Sequence, residues 1–324
     1  MVKLGFIGCG KIIRNAHLGP TLARHEDVEL VAYYDVRREA AEGLARDFGG
    51  EVCGGELEVC ERSDAVYLGI PPTAHGPAER ACLETGTPFF VEKPQALDLD
   101  LAQEIAAQVE RGGLITMVGY QWRHTPAGRG FREAVQGHQP VLVNMWWYQG
   151  TPRIPFNRYK AKSGGQVVEQ VTHIVDTVRF AVGEIVEVFG WQSNLAHVGE
   201  QDWDNDDVGV ACVRFENGAL GTITNCYALR EGAPPGNGAE VLTPDRRVLW
   251  QGHSVAIRTE QGEERLAIES GPAHRWEDLA FIEAVKTGDP SGILSPYADG
   301  MKTLAVTLAC TESGAMSQPI GTVV

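Results

Sequence analysis

The sequence predicts an α/β protein, with an N-terminal doubly wound Rossmann domain and a C-terminal α+β domain built on a large open antiparallel sheet. Three observations support this fold class. Short apolar strands alternate with amphipathic helices from residue 3 to about residue 120, which is typical of a parallel sheet. From Ile185 onward, strands follow one another with only turns between them, which indicates hairpins. The chain has 324 residues, more than one core usually serves.

These patterns divide the chain into a first domain, residues 1–120, and a second domain, residues 121–324. The division lies where the alternation of strands and helices stops. The C-terminal helix is able to pack back on the first domain.

The composition excludes several classes of partner. The formal net charge is −15, which argues against a nucleic-acid surface or an anionic membrane as the main partner. The seven cysteines form no Cys-x-x-Cys pair, so neither a metal site nor a disulfide scaffold is expected, and reduced thiols favour the cytoplasm. We expect no signal peptide, because the N-terminus enters a strand directly. No apolar run is long enough to span a bilayer.

The first predicted strand, Lys3–Gly8, runs into the turn Gly8-Cys9-Gly10-Lys11-Ile12-Ile13. Two glycines allow a tight turn and let backbone N–H groups approach a pyrophosphate that sits on a helix N-terminus. The third small position of this fingerprint holds Ile13, so the motif is incomplete, and an ordinary strand-to-helix turn is the alternative. Gly19-Pro20 is expected to interrupt the first helix, which then resumes from Pro20.

The second predicted strand, Val28–Tyr34, ends on Asp35. This acid lies about 20 residues beyond the glycine turn, where a carboxylate accepts hydrogen bonds from the adenosine ribose. Asp35 is also well suited to cap the next helix, Arg37–Phe48, and the two roles are compatible. An acid repels a 2′-phosphate and favours NAD, whereas Arg37 and Arg38 are able to bind that phosphate and keep NADP open.

The next strand, Ala65–Gly69, is followed by Ile70-Pro71-Pro72, which forms a rigid wall at the strand's carboxyl end. The helix predicted after it, His75–Glu84, begins with a histidine. A histidine at a helix start is more often exposed than in contact with a ligand. His75 therefore stays a candidate contact rather than a firm one.

The strand Phe89–Val91 runs directly into Glu92-Lys93-Pro94. In an open parallel sheet, ligands bind at the carboxyl ends of the strands. A lysine held there is a candidate proton donor or carbonyl polariser, because burial or a neighbouring charge can bring its pKa toward neutrality. The alternative for Lys93 is an exposed ion pair at the end of the strand. The helix Asp100–Arg111 and the strand Leu114–Gly119 complete the alternation.

The pattern changes at the polar and aromatic segment Tyr120-Gln121-Trp122-Arg123-His124. A short helix, Pro126–Val135, and a strand, Val141–Gln149, follow it. The loop Gly150–Gly165 then carries four cations and no anions in an otherwise acidic protein. This loop is either simply solvated or a patch that receives an anionic or polyhydroxylated substrate. Its cations are Arg153, Arg158, Lys160 and Lys162.

The helix predicted next, Gln166–Val182, carries Glu169 and His173 four residues apart and hence on one face. Asp176 lies one turn further along nearly the same stripe. A neutral histidine is the commonest general base near physiological pH, and a carboxylate one turn away can orient it. The alternative is a histidine satisfied within the core.

The remainder is a set of strands and two tail helices. If one face of the resulting sheet is covered by helices, its other face carries aromatic residues such as Trp146 and Trp191, and we expect a homodimer or homotetramer to cover it. The predicted strands are Ile185–Trp191, Asp207–Phe215, Ala219–Tyr227, Ala239–Leu242, Arg247–Gln251, Ser254–Arg258 and Arg265–Ile268, and the helices are Trp276–Lys286 and Pro296–Met316.

Four features in this order resemble the Gfo/Idh/MocA superfamily, that is, glucose–fructose oxidoreductase, inositol dehydrogenase and the rhizopine-catabolism proteins. They are Gly8-x-Gly10, Ile70-Pro71-Pro72-x-x-His75, Glu92-Lys93-Pro94 and Gly164-Gly165-x-x-x-Glu169-x-x-x-His173-x-x-Asp176. Each motif alone is weak, whereas the ordered set is fairly specific and extends over essentially the whole chain.

The resemblance implies an NAD(P)-binding Rossmann domain and a second domain that binds substrate and forms oligomers. It also implies that the protein is an enzyme that transfers a hydride between a nicotinamide cofactor and a hydroxyl or carbonyl of a sugar or polyol, with Lys93 and His173 as the catalytic pair. The family's usual Asp is Glu169 here, and its third glycine is Gln166, which leaves the role of the acid open.

The candidate site residues fall into three roles. The catalytic candidates are Lys93, His173 and Glu169. The cofactor candidates are Gly8, Gly10, Lys11, Ile12, Ile13, Asp35, Arg37, Ile70, Pro71, His75, Glu92, Lys93 and Gln121. The substrate candidates are Tyr120, Arg123, Arg158, Lys160, Lys162, Glu169 and His173. Two other functions stay open: a glycosidase that uses NAD for transient oxidation and elimination, and a regulator that senses cofactor or sugar without turnover.

Overall fold

The computed structural model describes residues 1–152, 154–269 and 271–322. The chain divides into two compact units. The first unit comprises Met1–His124 and Gly271–Met301, and the second comprises Thr125–Ser270 and Lys302–Val324. The division drawn from the sequence places Gly271–Met301 in the second domain, whereas its contacts group it with the first unit.

Fifteen strands are present in the described part of the chain, six in one sheet and nine in another. They are β1 (Val2–Ile7), β2 (Val28–Tyr34), β3 (Glu51–Val52), β4 (Ala65–Leu68), β5 (Phe89–Val91), β6 (Thr116–Val118), β7 (Leu142–Gly150), β8 (Ile185–Ser193), β9 (Val208–Phe215), β10 (Leu220–Leu229), β11 (Gly236–Leu242), β12 (Arg247–Gln251), β13 (Ser254–Thr259), β14 (Gly262–Arg265) and β15 (Ile320–Gly321).

Ten α-helices are found in the same described ranges. They are α1 (Arg38–Phe48), α2 (Glu56–Arg62), α3 (Pro77–Thr85), α4 (Leu99–Gly112), α5 (Gln121–His124), α6 (Pro126–Val135), α7 (Lys160–Ser163), α8 (Thr172–Val182), α9 (Ala273–Thr287) and α10 (Tyr297–Met316). None of the helices described is long and apolar enough to cross a membrane.

The first sheet is parallel and has the order β3-β2-β1-β4-β5-β6. The side chains of neighbouring residues along each strand pack into buried clusters on opposite faces of the sheet, because strand side chains alternate between faces. Phe90 of β5 packs into one buried cluster with Phe6 and Tyr67, whereas Phe89 and Val91 belong to another. Both faces of this sheet are therefore covered, as the Rossmann prediction requires.

The second sheet has the order β14-β13-β12-β11-β7-β10-β9-β8-β15. All its pairs are antiparallel except β7 with β10, so the sheet is mixed rather than purely antiparallel. Strands β7 and β10 are separated in the chain by helices and two strands, and no hairpin constrains their relative direction. Alternate residues of β9 are buried and exposed, which leaves one face open.

Four elements differ from the sequence prediction. The first helix becomes a π-helical segment, Ile13–Leu18, and only a 3₁₀ turn, Leu22–Arg24, follows Pro20. The helix predicted from His75 begins at Pro77 instead, because Gly76 adopts a φ of +114° that ends the preceding turn. The last predicted strand, Arg265–Ile268, is shifted to β14.

The fourth difference concerns the helix predicted over Gln166–Val182. It consists of a π-helical segment, Val167–Val171, followed by α8. The extra residue in each π-helical turn rotates Glu169 relative to α8, so the i, i+4 argument that put Glu169 and His173 on one face does not hold as stated. Five further elements, β3, α2, α5, α7 and β15, have no counterpart among the predicted ones.

Candidate functional site

The glycine turn after β1 combines a left-handed backbone at Gly8 with open space over Gly10. Gly8 has a φ of +85°, and a Cβ on this residue would lie 2.4 Å from the Gly69 carbonyl oxygen. A Cβ on Gly10 would meet nothing within 4 Å. The space over Gly10 fits the close backbone approach that a pyrophosphate requires.

Ile13 explains the missing third glycine of the fingerprint. Its side chain is fully buried, and a Cβ on Gly69 would lie 2.3 Å from it. The close packing that a small residue usually gives here is supplied by the glycine on the other side of the contact. Lys11 and Ile12 are exposed at the start of the turn's helix.

Asp35 links the end of β2 to the glycine turn. Its Oδ2 accepts a 2.8 Å hydrogen bond from the Cys9 N–H, and its Oδ1 accepts one of 2.8 Å from the Arg37 N–H. The N-cap of α1 is Arg37, without a side-chain cap, so the capping role suggested for Asp35 is wrong. Each carboxylate oxygen keeps a second lone pair for a ribose hydroxyl.

The Cys9 thiol and the Arg37 guanidinium are ionisable neighbours of Asp35. Burial, with the Asp35 carboxylate adding to it, raises the pKa of the Cys9 thiol to about 12, so this cysteine is a neutral thiol and not a nucleophile. The Arg37 guanidinium Nε lies 3.7 Å from Asp35 Oδ1, and its side chain is largely exposed.

The residues after β4 form a wall beside the glycine turn. The Ile70 Cγ2 would lie 2.8 Å from a Cβ on Gly8, and Pro71 is exposed next to it. His75 is buried rather than exposed, and its Nδ1 lies 2.5 Å from Glu79 Oε1. Burial opposes the ionisation of Glu79, but His75 and a backbone N–H outweigh it and lower the pKa of this carboxyl.

Glu92 and Lys93 follow β5 at the same edge of the sheet. The Glu92 N–H donates to the Leu68 carbonyl (3.0 Å), and its buried carboxylate faces the His17 ring, with Oε1 2.9 Å from Nε2. Lys93 is half-buried. His17 is not among the predicted site residues, and no local pattern marks it, because its second partner, Asp278, lies 261 residues away.

The segment after β6 is more buried than expected. Tyr120 and Gln121 are buried. The Arg123 guanidinium donates to the Leu294 carbonyl (2.7 Å) and lies 2.6 Å from Asp299 Oδ2. These contacts give Arg123 a structural role within the first unit, and a substrate contact by Tyr120 or Arg123 stays a prediction.

In the second unit, His173 is at the start of α8, buried, with its ring 6.2 Å from the Trp147 ring and nearly parallel to it. Glu169 lies in the preceding π-helical segment. Burial raises the pKa of Tyr227, and the charge of the Glu169 carboxylate raises it further. The Asp176 carboxylate accepts from the Thr303 hydroxyl (2.9 Å) and joins α8 to α10.

Gln166, at the position where the resemblance implies a third glycine, forms side-chain hydrogen bonds to the second sheet. Its Nε2 donates to the Cys226 carbonyl (3.1 Å), and its Oε1 accepts from Asn225 Nδ2 (2.9 Å). Both partners belong to β10. The amide therefore holds the start of the π-helical segment against the sheet.

The cationic loop is not an isolated positive patch. The Lys160 Nζ lies 2.6 Å from Asp206 Oδ2, and the Lys160 N–H donates to Asp204 Oδ1 (2.5 Å). Lys162 lies over the Tyr159 ring, 4.4 Å from its centroid. The Arg158 Nε points to the Pro152 carbonyl at 3.5 Å. Arg153 lies outside the described residues.

Comparison with known proteins assigns a family to both parts of the chain. The profile described as the oxidoreductase family with an NAD-binding Rossmann fold matches residues 2–120, and that of the GFO/IDH/MocA C-terminal domain matches residues 139–245. An inositol 2-dehydrogenase of Rubrobacter xylanophilus is 30% identical over 96% of this chain and 90% of its own length. The chain belongs to the Gfo/Idh/MocA oxidoreductase family.

A further relative and a solved structure are also similar to this Gfo/Idh/MocA protein. A 1,5-anhydro-D-fructose reductase of Ensifer adhaerens is 24% identical over 98% of both chains. The fold matches that of a levoglucosan dehydrogenase solved with NADH and levoglucosan, with a TM-score of 0.85, 19% identity and 100% coverage of both chains.

The family assignment confirms the predicted fold class, the NAD-binding domain and the enzyme class, a dehydrogenase or reductase acting on CH–OH groups. The relatives do not favour the two other functions left open, the NAD-using glycosidase and the non-catalytic sensor.

Proposed function

We propose that this enzyme transfers a hydride between NAD and a hydroxyl or carbonyl carbon of an uncharged sugar or polyol. The observation that carries the proposal is the arrangement of the parallel sheet. Strands β1, β4 and β5 are adjacent, so the glycine turn, the Ile70-Pro71 wall and Glu92-Lys93 all lie at one carboxyl edge. Cofactor contacts and a candidate catalytic lysine are thus brought together by topology.

The bound cofactor would supply the hydride chemistry, and the protein would hold the substrate and manage one proton. Gly8, Gly10 and Asp35 would hold the pyrophosphate and the adenosine ribose. Lys93 would donate a hydrogen bond to the substrate oxygen as negative charge builds on it. His173 would accept the hydroxyl proton, with Glu169 as its positioning group or as a contact to a neighbouring hydroxyl.

The charge around the cationic loop supports an uncharged substrate. The segment from Glu200 to Asp207 supplies five carboxylates, and two of its members contact Lys160. An anionic substrate would meet these carboxylates as well as the lysines, whereas hydroxyl groups can donate to the carboxylates and accept from the lysines. Inositol and 1,5-anhydro-D-fructose, which name two of the relatives, carry no ionisable group.

The open face of the second sheet supports self-association. Trp191 pairs with Val210 across β8 and β9, and Val210 pairs with Thr224, which pairs with Trp146. These residues form one row on one face, and Trp191 is 56% exposed. A second copy of the chain would bury this row in a homodimer or homotetramer.

A substrate panel with a lysine variant tests the proposal. Initial rates would be followed by nicotinamide absorbance, with NAD and NADP run separately, on matched pairs such as myo-inositol against its phosphate and glucose against glucuronate. We expect turnover of neutral members with NAD. In Lys93→Met we expect kcat to fall by about 10²–10⁴ with NAD affinity nearly intact.

Lys286→Met is the matched control, because Lys286 pairs with Asp27 at the surface and should keep wild-type turnover. Turnover confined to the anionic members would contradict the uncharged substrate. Wild-type turnover in Lys93→Met would remove Lys93 from the reaction.

A further inference from the structure

We propose that His17 is a positioning residue for Glu92-Lys93. It lies between Glu92 and Asp278 as a buried imidazolium and fixes the carboxylate of Glu92, the residue that precedes Lys93. The inference rests on the proposed function insofar as it assigns Lys93 to the reaction. It adds a residue that lies outside the glycine turn and outside the strand ends.

Each of the two ring nitrogens of His17 faces a carboxylate oxygen. The His17 Nε2 lies 2.9 Å from Glu92 Oε1 and its Nδ1 lies 2.7 Å from Asp278 Oδ1. A neutral imidazole donates from one nitrogen and presents a lone pair at the other, so one of the two contacts would oppose a lone pair to a carboxylate. An imidazolium donates to both carboxylates.

The surroundings keep this ion away from water. His17 and Asp278 have no exposed surface. The rings of Tyr67 and Phe90 meet the imidazole edge-on, with centroids at 5.3 and 5.2 Å. The Tyr67 hydroxyl donates to the same Asp278 Oδ1 (3.2 Å). A buried charge is retained only when it is paired and hydrogen-bonded, as here.

The titratable groups around His17 are Glu92, Asp278, Glu277, Tyr67, His274 and Lys93. Burial lowers the pKa of His17, but the Asp278 and Glu92 carboxylates outweigh it and raise this pKa well above its ordinary value. Burial keeps the pKa of the neighbouring His274 below its ordinary value. The cluster therefore holds one charged imidazole and one neutral imidazole.

The consequence for Lys93 follows from the chain. Glu92 is fixed twice, through its N–H to the Leu68 carbonyl and through its carboxylate to His17. The next residue is Lys93, whose charge already acts on Glu92. If the imidazolium were removed, the buried Glu92 carboxylate would draw the Lys93 ammonium toward itself, and the ammonium would be less available to a substrate oxygen.

The test combines kinetics with a charge-restoring double variant. In His17→Gln we expect kcat to fall at least 30-fold while the dissociation constant of NAD, measured by fluorescence quenching, changes less than threefold. Removing the Glu92 charge as well, in H17Q/E92Q, restores the local charge balance and should recover at least tenfold of the lost kcat. His25→Gln, a histidine of the same unit outside the cluster, is the control.

A loss of packing alone would not be recovered by a second substitution, so failure of the double variant to recover activity overturns the positioning role. The same holds if His17→Gln keeps kcat within threefold of wild type. If His17→Gln does not fold, ¹⁵N-histidine NMR of the wild-type protein decides: one imidazolium must persist at pH 8, and a neutral ring at His17 overturns the proposal.

A metal ion is the competing occupant. Ligand atoms of His17, Glu92 and Glu277 lie within 4.8 Å of one another. If activity is lost on treatment with EDTA and restored by Zn²⁺, the cluster is a metal site rather than a buried imidazolium, and the proposal is overturned. The NMR result does not depend on turnover, so it stands even if the substrate panel rejects the proposed function.

Discussion

The two sheets of this protein bury their side chains in opposite ways. The parallel sheet is covered on both faces, and its candidate site residues lie in the turns at one edge. The mixed sheet keeps one face open, with Trp191 and Leu220 more than half exposed. The first sheet therefore serves as a scaffold for its edge, whereas the second leaves one face exposed.

The largest difference between the sheets is expected in the cost of removing an aromatic side chain. Phe90 is fully buried and stacks on Tyr67 at 4.8 Å between centroids, so Phe90→Ala should lower the free energy of unfolding by about 3–5 kcal/mol. Trp191→Ala on the open face should cost less than about 1 kcal/mol. Urea denaturation at low protein concentration measures both, and equal losses would refute the contrast.

Substitutions at the two glycines of the turn after β1 should separate an effect on stability from an effect on cofactor binding. Gly8→Ala forces a Cβ to within 2.4 Å of the Gly69 carbonyl at a φ of +85°, so it should destabilise the fold by about 1–3 kcal/mol. Gly10→Ala meets open space; it should leave the melting temperature unchanged and weaken NAD binding by about tenfold. Thermal melts and NAD titrations on both variants check this, and a destabilised Gly10→Ala would contradict it.

The open face should respond to a charge by losing self-association. Trp191→Glu places a carboxylate in the row that includes Val210, so the protein should shift to a smaller species by light scattering after gel filtration. Val36→Glu, at an 89% exposed position of the first unit, should leave the mass unchanged. An unchanged mass in Trp191→Glu would assign the interface to another surface.

The smallest effect is expected at the end of the open sheet, in the loop between β8 and β9. Asp207 accepts from the N–H groups of Leu195, Ala196 and His197. Burial opposes its ionisation, but these donors outweigh it and lower the pKa of Asp207. The stabilisation is present above the unfolded carboxyl pKa and is lost as pH falls through the folded value.

The melting temperature of the wild type should therefore exceed that of Asp207→Asn at pH 6, and the gap should narrow as the pH falls below about 4. A gap that is the same at both pH values would show that the carboxylate charge does not stabilise this loop.

The pKa of His17 is shifted upward instead. The contribution of His17 to the free energy of unfolding is therefore fully present below the unfolded histidine pKa and is lost as pH rises through the folded value.

Much of the fold could be predicted from local patterns. The strands Val28–Tyr34 and Phe89–Val91 and the helix Pro126–Val135 have the predicted bounds, because apolar periodicity and turn residues act over a few residues. The π-helical segments at Ile13–Leu18 and Val167–Val171 could not be predicted, since the choice between α and π geometry depends on what each helix packs against.

The candidate site likewise contains features that local sequence predicts and features that depend on contacts between distant residues. The glycine turn, Asp35 and Glu92-Lys93 are visible in the sequence because each sits at a strand end, where chain order alone predicts position. The pairing of Lys160 with Asp206 joins residues 46 apart, and the pairing of His17 with Asp278 joins residues 261 apart. Charges so distant in the chain become neighbours only when the chain is folded, and at His17 the neighbouring carboxylates then outweigh burial and raise its pKa. Local patterns thus predict which strand ends are candidates for the site, whereas the contacts formed on folding settle which charges are compensated, because Coulomb energies depend on distance and dielectric and not on order along the chain.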